Sequence, residues 1–308
     1  MNKSTAKGSS VRASAQPQIA EGSIRPRSDQ TRLRLVVPIG VIVAVAIICI
    51  IVAVLTSARR ADEVSFNREQ ELIQQAITDR GTRVLRELKS VAATQRAVEA
   101  IARNYNAPWV ERRVGNWLET YFDHDLVAVV DASDKIEYTR SRSSDARGAI
   151  NWPFELAAIL DLLRGRAGAT LNGVVPIAVA PDQVRSSRIA ALIQRFTERP
   201  AIVAAVAVGS DADLAAGNAG VPIVVAVKYI DDAMLREIGN RLQLPALRLL
   251  DDRANDGDTP VIAMADLQGS AVARFAWKPT RLGGQIVGRV LPFMLVALAG
   301  FALSLIHI

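Results

Sequence analysis

The chain has 308 residues, of which 50% are hydrophobic and 5% aromatic, and it carries a formal net charge of +6. These values are typical of one folded domain with one or two membrane spans, and they argue against a low-complexity or fibrous chain. The single cysteine, Cys49, excludes a disulfide framework and a thiolate metal site.

The positive charge is concentrated beside apolar segments. Residues 1–34 contain seven cations against Glu21 and Asp29, and Arg289 lies in the last apolar segment. The region between carries as many acidic as basic residues. Because the excess charge lies where it sets membrane orientation, we expect no nucleic-acid binding.

The first predicted element is a transmembrane helix over residues 35–57. Leu35 to Leu55 is an uninterrupted apolar run of about the length that crosses the roughly 30 Å hydrocarbon layer. A cleaved signal peptide is the alternative. The long apolar core, with Arg59 and Arg60 after it, favours an uncleaved anchor.

The distribution of cations around this run predicts its orientation. Positive charge is retained on the cytoplasmic side. We therefore expect residues 1–34 to form a disordered basic cytoplasmic tail, the anchor to lie in a bacterial inner membrane, and residues 58–284 to lie in the periplasm.

A second transmembrane helix is predicted over residues 286–308. Its last residues, 303–308, match the translation of a transposon end used in sequencing libraries, so we hypothesise a sequencing scar in a truncated gene whose cytoplasmic domain is missing. His307 is then excluded from chemical interpretation, which leaves His124 as the native histidine.

Between the spans, a helical stripe of apolar residues runs from Asp62 to Arg103. Such a helix could pack on its own domain or pair with a second copy, and we expect a homodimer. Its apolar positions are Ile73, Ile77, Val84, Leu88, Val91, Val98 and Ala102.

The remaining pattern predicts an α+β domain with a PAS-like or Cache-like sheet and long helices on one side, so that a concave face could hold a small ligand. The predicted helices start at Pro108, Asn151, Pro181 and Asp231, the third running to Phe196. The predicted strands cover Leu126 to Ala132, Ile136 to Thr139, Ala201 to Val208, Pro222 to Ile230, Leu247 to Leu250, Pro260 to Ala265 and Ala271 to Trp277, with a turn at Asn255 to Asp258.

Two stretches resemble the fourth type of CHASE domain, a bacterial extracellular sensor found between two membrane helices. The matching residues are Trp109, Gly115, Trp117, Leu118, Phe122, His124, Asp125, Asp131 and Tyr138, then Arg199 to Val203, Val227 to Asp231 and Leu235. The resemblance implies a sensor that precedes a cyclic-di-GMP synthase or phosphodiesterase module, or a histidine kinase. The family's Trp-Asp-Asp cluster at the end of its first long helix is replaced here by Ala-Ala-Thr-Gln-Arg-Ala at residues 92–97.

Eight residues are candidates for a ligand pocket, each with a structural alternative. Trp109 and Trp117 could line a pocket or be plain core. His124 and Asp125 could contact a ligand or hydrogen-bond locally in a helix-to-strand connection. The remaining four candidates are Tyr138, Arg140, Lys228 and Tyr229. They could offer hydrogen-bond donors to an anionic ligand or be solvated strand ends.

The sequence contains no phosphate-binding glycine loop, no G-x-S-x-G, no H-E-x-x-H and no Gly-Gly-Asp-Glu-Phe motif. We therefore expect no catalytic residue, metal or cofactor in this stretch. The favoured function is a periplasmic input module that relays binding of a small molecule or protein to a cytoplasmic output, either cyclic-di-GMP turnover or a histidine kinase. The alternative is a membrane-tethered periplasmic binding or scaffold protein without output.

Overall fold

The structure is a computed structural model that describes residues 28–142, 150–166, 189–215, 220–251, 259–266 and 269–307. The predicted tail up to residue 27, residues 181–188 of the predicted third helix, and the turn at 255–258 lie outside these residues. The chain divides into a folded body, residues 57–286, and a second unit made of residues 1–56 and 287–308.

Within the described ranges, two helices are long and apolar enough to cross a membrane. The first, α1, spans Ser28–Ala92, and its most apolar stretch has a mean hydropathy of 3.1. The second, α8, spans Leu282–His307, with a value of 2.1. Each contains one of the two predicted spans, and Pro38 is accommodated inside α1.

Within the body, α1 packs on its own domain. Ile73, Ile77, Val84 and Leu88 are at most 1% exposed and belong to one core cluster with the sheet. These residues of the apolar stripe are therefore buried against the core of their own domain. The helix ends at Ala92, before the predicted end at Arg103, and is followed by α2 (Gln95–Ala97) and a π-helical turn, Val98–Arg103.

The predicted helix from Pro108 forms in three pieces: α3 (Ala107–Val110), a second π-helical turn (Glu111–Asn116) and α4 (Trp117–Phe122). Val110, Val114 and Leu118 are fully buried, as their spacing predicts. Tyr121, three residues after Leu118, is 66% exposed.

The centre of the body is a five-stranded antiparallel sheet in the order β2-β1-β5-β4-β3. Its strands are β1 (Leu126–Val130), β2 (Ile136–Ser141), β3 (Ile189–Phe196), β4 (Arg199–Ala207) and β5 (Ile223–Tyr229). Their apolar side chains alternate between two core clusters, one on each face.

The helix predicted from Pro181 to Phe196 is wrong over its described part, because residues 189–196 form β3. The strand is buried on both faces, Ala190 and Leu192 in one cluster and Ala191 and Ile193 in the other. A continuous apolar run of this length carries no alternation, so its periodicity does not distinguish a buried strand from a helix.

Helices cover both faces of the sheet, whereas the sequence predicted helices on one face only. The first face packs against α1 and the helical pieces up to α4, together with α7 (Asp232–Leu242). The opposite face packs against α5 (Trp152–Leu163), whose Leu156, Ile159 and Leu160 are buried.

A second, three-stranded sheet joins the first core cluster. Its order is β6-β8-β7, formed by Arg248–Leu250, Ala271–Ala276 and Val261–Ala265 respectively. The loop predicted between β4 and β5 contains a short helix, α6 (Asp211–Ala215). After β8, four residues lead to Arg281 and the start of α8.

Candidate functional site

The end of α1 is defined by a break in the helix at Ala93 and Thr94. The Thr94 hydroxyl accepts a hydrogen bond from the backbone N–H of Ala97 at 3.1 Å and so caps α2. It also donates to the carbonyl of Val91 at 3.1 Å. Thr94 and Gln95 line two cavities, which we call the aromatic groove and the polar cleft.

The aromatic groove has a volume of about 460 Å³. Trp109 lies at the start of α3, where the Asn106 side chain accepts a hydrogen bond from its backbone N–H at 3.0 Å. Trp117 begins α4, and its ring centroid lies 4.2 Å from that of Tyr121. The other residues around the groove are Ser90, Val91, Thr94, Gln95, Arg96, Arg113 and Phe122.

The groove brings together two of the eight candidate residues, Trp109 and Trp117, and both are half-buried. Trp109 packs against the core cluster, and both side chains line the groove. Arg113 lies over the Trp117 ring, with its Cζ 5.4 Å from the centroid, which is within the range of a cation–π contact.

The polar cleft has a volume of about 830 Å³ and lies beside the same helix end. Lys89, Thr94 and Gln95 line it from α1 and α2. Ser210 and Asp211 line it from the connection after β4. Ser210 is held by Asp213, whose carboxylate accepts a hydrogen bond from the Ser210 backbone N–H at 3.0 Å.

Tyr138 and Arg140 do not reach either cavity. The Tyr138 hydroxyl donates to Glu111 Oε2 at 2.7 Å, and Arg140 bonds both Glu111 and Glu119. Burial and the hydrogen bond to Glu111 raise the pKa of Tyr138. These pairs attach β2 to the helical pieces that pack on it, and they engage the Tyr138 hydroxyl together with Nε and Nη1 of Arg140.

His124 is buried among charged groups between the sheet and α1. Its Nε2 lies 3.5 Å from Glu87 Oε2, and neither ring nitrogen has a hydrogen-bond partner among the described residues. Burial, with the charges of Lys228 and Arg80, lowers the pKa of His124 to about 4, so the ring is neutral at pH 7. The expected local hydrogen bonding of this side chain is therefore not found.

The neighbours of His124 make the local connections instead. Asp125 Oδ2 accepts the backbone N–H of Tyr229 at 2.8 Å, and Lys228 Nζ donates to Asp123 Oδ2 at 2.8 Å. The hydrogen bond from Lys228, with one from Arg142, holds the pKa of Asp123 below its ordinary value. Lys228 is only 5% exposed, so it is not a solvated strand end.

Tyr229 lies on the other face of the sheet. Adjacent residues of a strand point to opposite faces, and Tyr229 accordingly belongs to the core cluster with α5. The centroid of the Tyr229 ring lies 3.9 Å from Arg199 Cζ, and the Tyr229 hydroxyl lies 2.8 Å from Thr197 Oγ1. Tyr229 and Lys228 therefore cannot serve one ligand together.

Arg96 and Arg113 were missed by the sequence interpretation, as were Thr94 and Gln95. Three of the four stand at the end of the first long helix, where the resembled family has its Trp-Asp-Asp cluster. This position in the chain could have identified them as candidate site residues. They were not identified because their residue types differ from those of the family's cluster. In the part of the chain that the structure describes, no group of three His, Cys, Asp or Glu residues could hold a metal ion.

The family model of the CHASE4 domain matches residues 76–249, which is more than half of the chain. No curated protein matches the chain. The matched range begins within α1 and includes the whole five-stranded sheet, the aromatic groove and the polar cleft. The chain therefore belongs to the CHASE4 family, the extracellular sensor domains of signalling receptors.

Proposed function

We propose that the body is the periplasmic input module of a transmembrane receptor in a bacterial inner membrane, with the N-terminus in the cytoplasm. The observation that carries the proposal is the position of the two cavities. Both are lined by the end of α1, and the same helix contains the first apolar segment. A molecule that enters either cavity contacts the residues that end this helix.

The physical requirement for sensing is differential binding. A ligand shifts a two-state equilibrium only as far as its affinities for the two states differ. The break at Ala93 and Thr94 is a place where two states can differ, because short side chains and one capping hydroxyl hold it. The order of the central sheet, with a long helix on one face, supports a PAS-like or Cache-like architecture for such a sensor.

Our proposal for the cytoplasmic output domain rests on the family and not on the residues of this chain. We propose a cytoplasmic domain for cyclic-di-GMP turnover, reached through α8, with a histidine kinase as the second candidate. The stretch itself is proposed to be non-enzymatic, and the receptor to act as a homodimer. Because the stripe on α1 is buried in its own domain, the second copy has to contact another surface.

The test uses the full-length receptor expressed from the intact gene. Gln95→Trp places an indole where both cavities meet, and Lys135→Trp, at the exposed tip of the β1–β2 hairpin, is the matched control. We expect Gln95→Trp to change cellular cyclic-di-GMP, or autophosphorylation if the output is a kinase, and Lys135→Trp to leave it unchanged.

A deletion of residues 62–280 in the same receptor is the second arm. If the output is unchanged by the deletion, the body is not an input module. An intact gene that encodes no output domain after the second span would instead favour the membrane-tethered binding protein.

A further inference from the structure

We propose that the aromatic groove binds a small aromatic acid, a planar apolar ring that carries one carboxylate. The inference rests on the proposed sensing function and assigns a ligand class to one of its two cavities. It combines an aromatic lining with two cations that have no carboxylate partner among the residues that the structure describes.

The lining favours a planar apolar body. Trp109, Trp117 and Phe122 are each half-buried around a cavity whose volume suits a small molecule. Trp117 also contacts Tyr121 in a tilted arrangement, with the ring centroids 4.2 Å apart, which restricts the orientation of the indole. Aromatic rings attract one another in offset or tilted geometries beyond the gain from buried area, so a ring is preferred over an aliphatic chain of similar size.

The charges favour an anion. Arg96 and Arg113 are exposed at the edge of the groove, and among the described residues neither guanidinium has a carboxylate within 4.0 Å. Other cations nearby are paired: Arg140 with Glu111, Arg142 with Asp123, and Lys228 with Asp123. A guanidinium binds a carboxylate through two parallel hydrogen bonds.

The backbone around the groove also departs from regular helix. π-helical turns cover Val98–Arg103 and Glu111–Asn116, and the second of them carries Arg113. Such turns are rare and occur frequently at functional sites. Here the second turn places Arg113 and Trp117 at the same cavity.

The experiment measures binding to the whole chain in lipid nanodiscs by isothermal titration calorimetry, with empty nanodiscs subtracted. The probe is 2-naphthoate, with 2-naphthamide as the neutral analogue and acetate as the anion without a ring. The variant is Arg96→Gln with Arg113→Gln. Arg112→Gln is the matched control, since Arg112 is exposed on the same π-helical turn but does not line the groove.

We expect 2-naphthoate to bind at least tenfold more tightly than either analogue. The double variant should lose at least tenfold in affinity, and Arg112→Gln should stay within twofold of the wild type. Equal binding of 2-naphthamide, unchanged binding by the double variant, or no binding of 2-naphthoate would each overturn the ligand assignment. If the assignment fails while Gln95→Trp still changes the output of the receptor, the sensing function stands and only the ligand class is withdrawn.

Discussion

The indole Nε1 of Trp277 donates a hydrogen bond to Glu69 Oε2 at 2.7 Å and so joins the residue after β8 to the first helix. The other carboxylate oxygen of Glu69 accepts the backbone N–H of Thr280 at 3.0 Å, and Phe66 stacks on Trp277 with ring centroids 5.6 Å apart. One buried carboxylate therefore holds the two ends of the body together.

Further contacts continue this connection toward α8. The backbone N–H of Gly283 donates to Asp62 Oδ1 at 2.7 Å. A Cβ at Gly283 would lie 2.1 Å from the carbonyl oxygen of Ala58, so no larger residue fits without a shift of the backbone. The start of α8 and this part of α1 are thus fixed to each other within the body.

Glu69→Ala is predicted to destabilise the body by about 1–3 kcal/mol, because it leaves the buried Trp277 indole and the part-buried Thr280 amide without their acceptor. Glu71→Ala, on the exposed face of the same helix, is the control and should change stability by less than about 0.5 kcal/mol. Chemical unfolding followed by tryptophan fluorescence measures both. Equal stability of the two variants would contradict the role given to Glu69.

Arg164→Met is predicted to cost about 2–4 kcal/mol, because it leaves the carbonyls of Val221 and Asp131 without their donor and removes one of the two guanidinium partners of Asp134. The guanidinium, 2% exposed, donates to the carbonyls of Val221 and Asp131 at 2.6 and 2.8 Å and to Asp134 Oδ1 at 3.0 Å. Arg166→Gln removes a half-exposed guanidinium that also bonds Asp134 and is the matched control, with an expected loss of at most about 1 kcal/mol. A loss in the control as large as that in Arg164→Met would show that burial is not the cause.

Acidification is predicted to destabilise the body through His124. Burial lowers the pKa of the folded ring to about 4, whereas the unfolded ring titrates near 6.5. The free energy of unfolding is therefore unaffected by this ring above pH 6.5. It decreases as the pH falls from 6.5 toward 4, because over that range the unfolded ring binds a proton and the folded ring does not. The loss is on the order of 3 kcal/mol.

The measurement for His124 is the free energy of unfolding at pH 7.5, 6, 5 and 4.5 for the wild type and His124→Gln. The other groups that titrate nearby, among them Glu87 and Asp123, are shared by both proteins, so the difference between the two curves isolates the ring. A difference that does not change with pH would show that the ring is not held neutral.

Gly115→Ala is predicted to destabilise the body by about 1–3 kcal/mol through overpacking. A Cβ at this position would lie 1.8 Å from the Tyr138 hydroxyl, which would have to leave Glu111. Gly220→Ala is the control, because a Cβ there meets nothing within 4 Å. Thermal unfolding of the two variants checks the prediction, and equal stability of Gly115→Ala and Gly220→Ala would contradict it. Tyr138→Phe in the Gly115→Ala background removes the 1.8 Å contact and is expected to recover part of the lost stability, the remainder reflecting the ring carbon Cζ at 2.9 Å.

The sequence predicted most of the body because its signals were local. Asn151 and Asp231 stand directly before α5 and α7, as expected of cap positions, and the hairpin turn before β2 follows a buried strand. The strand β3 could not be predicted in the same way. Its two faces are buried in two core clusters that include helices far from it in the sequence, and local patterns do not report such contacts.

The site was predicted only in part for a similar reason. Trp109 and Trp117 were found by residue type, but the groove depends on how α2 and the second π-helical turn pack together. Lys228 and Tyr229 were grouped because they are adjacent, although the two-residue period of a strand already separates them. Arg96 and Arg113 carry no sequence motif, and only the packed structure shows that no carboxylate of the described segments pairs with them.

The topology of the body tests the account most directly. In a Cys49→Ala background, Ser133→Cys places a thiol at the exposed β1–β2 turn, and Ser10→Cys places one in the N-terminal segment. A membrane-impermeant maleimide added to intact spheroplasts is predicted to label position 133 and to label position 10 only after permeabilisation. Protection of position 133 in intact spheroplasts, with labelling of position 10, would contradict a periplasmic sensor.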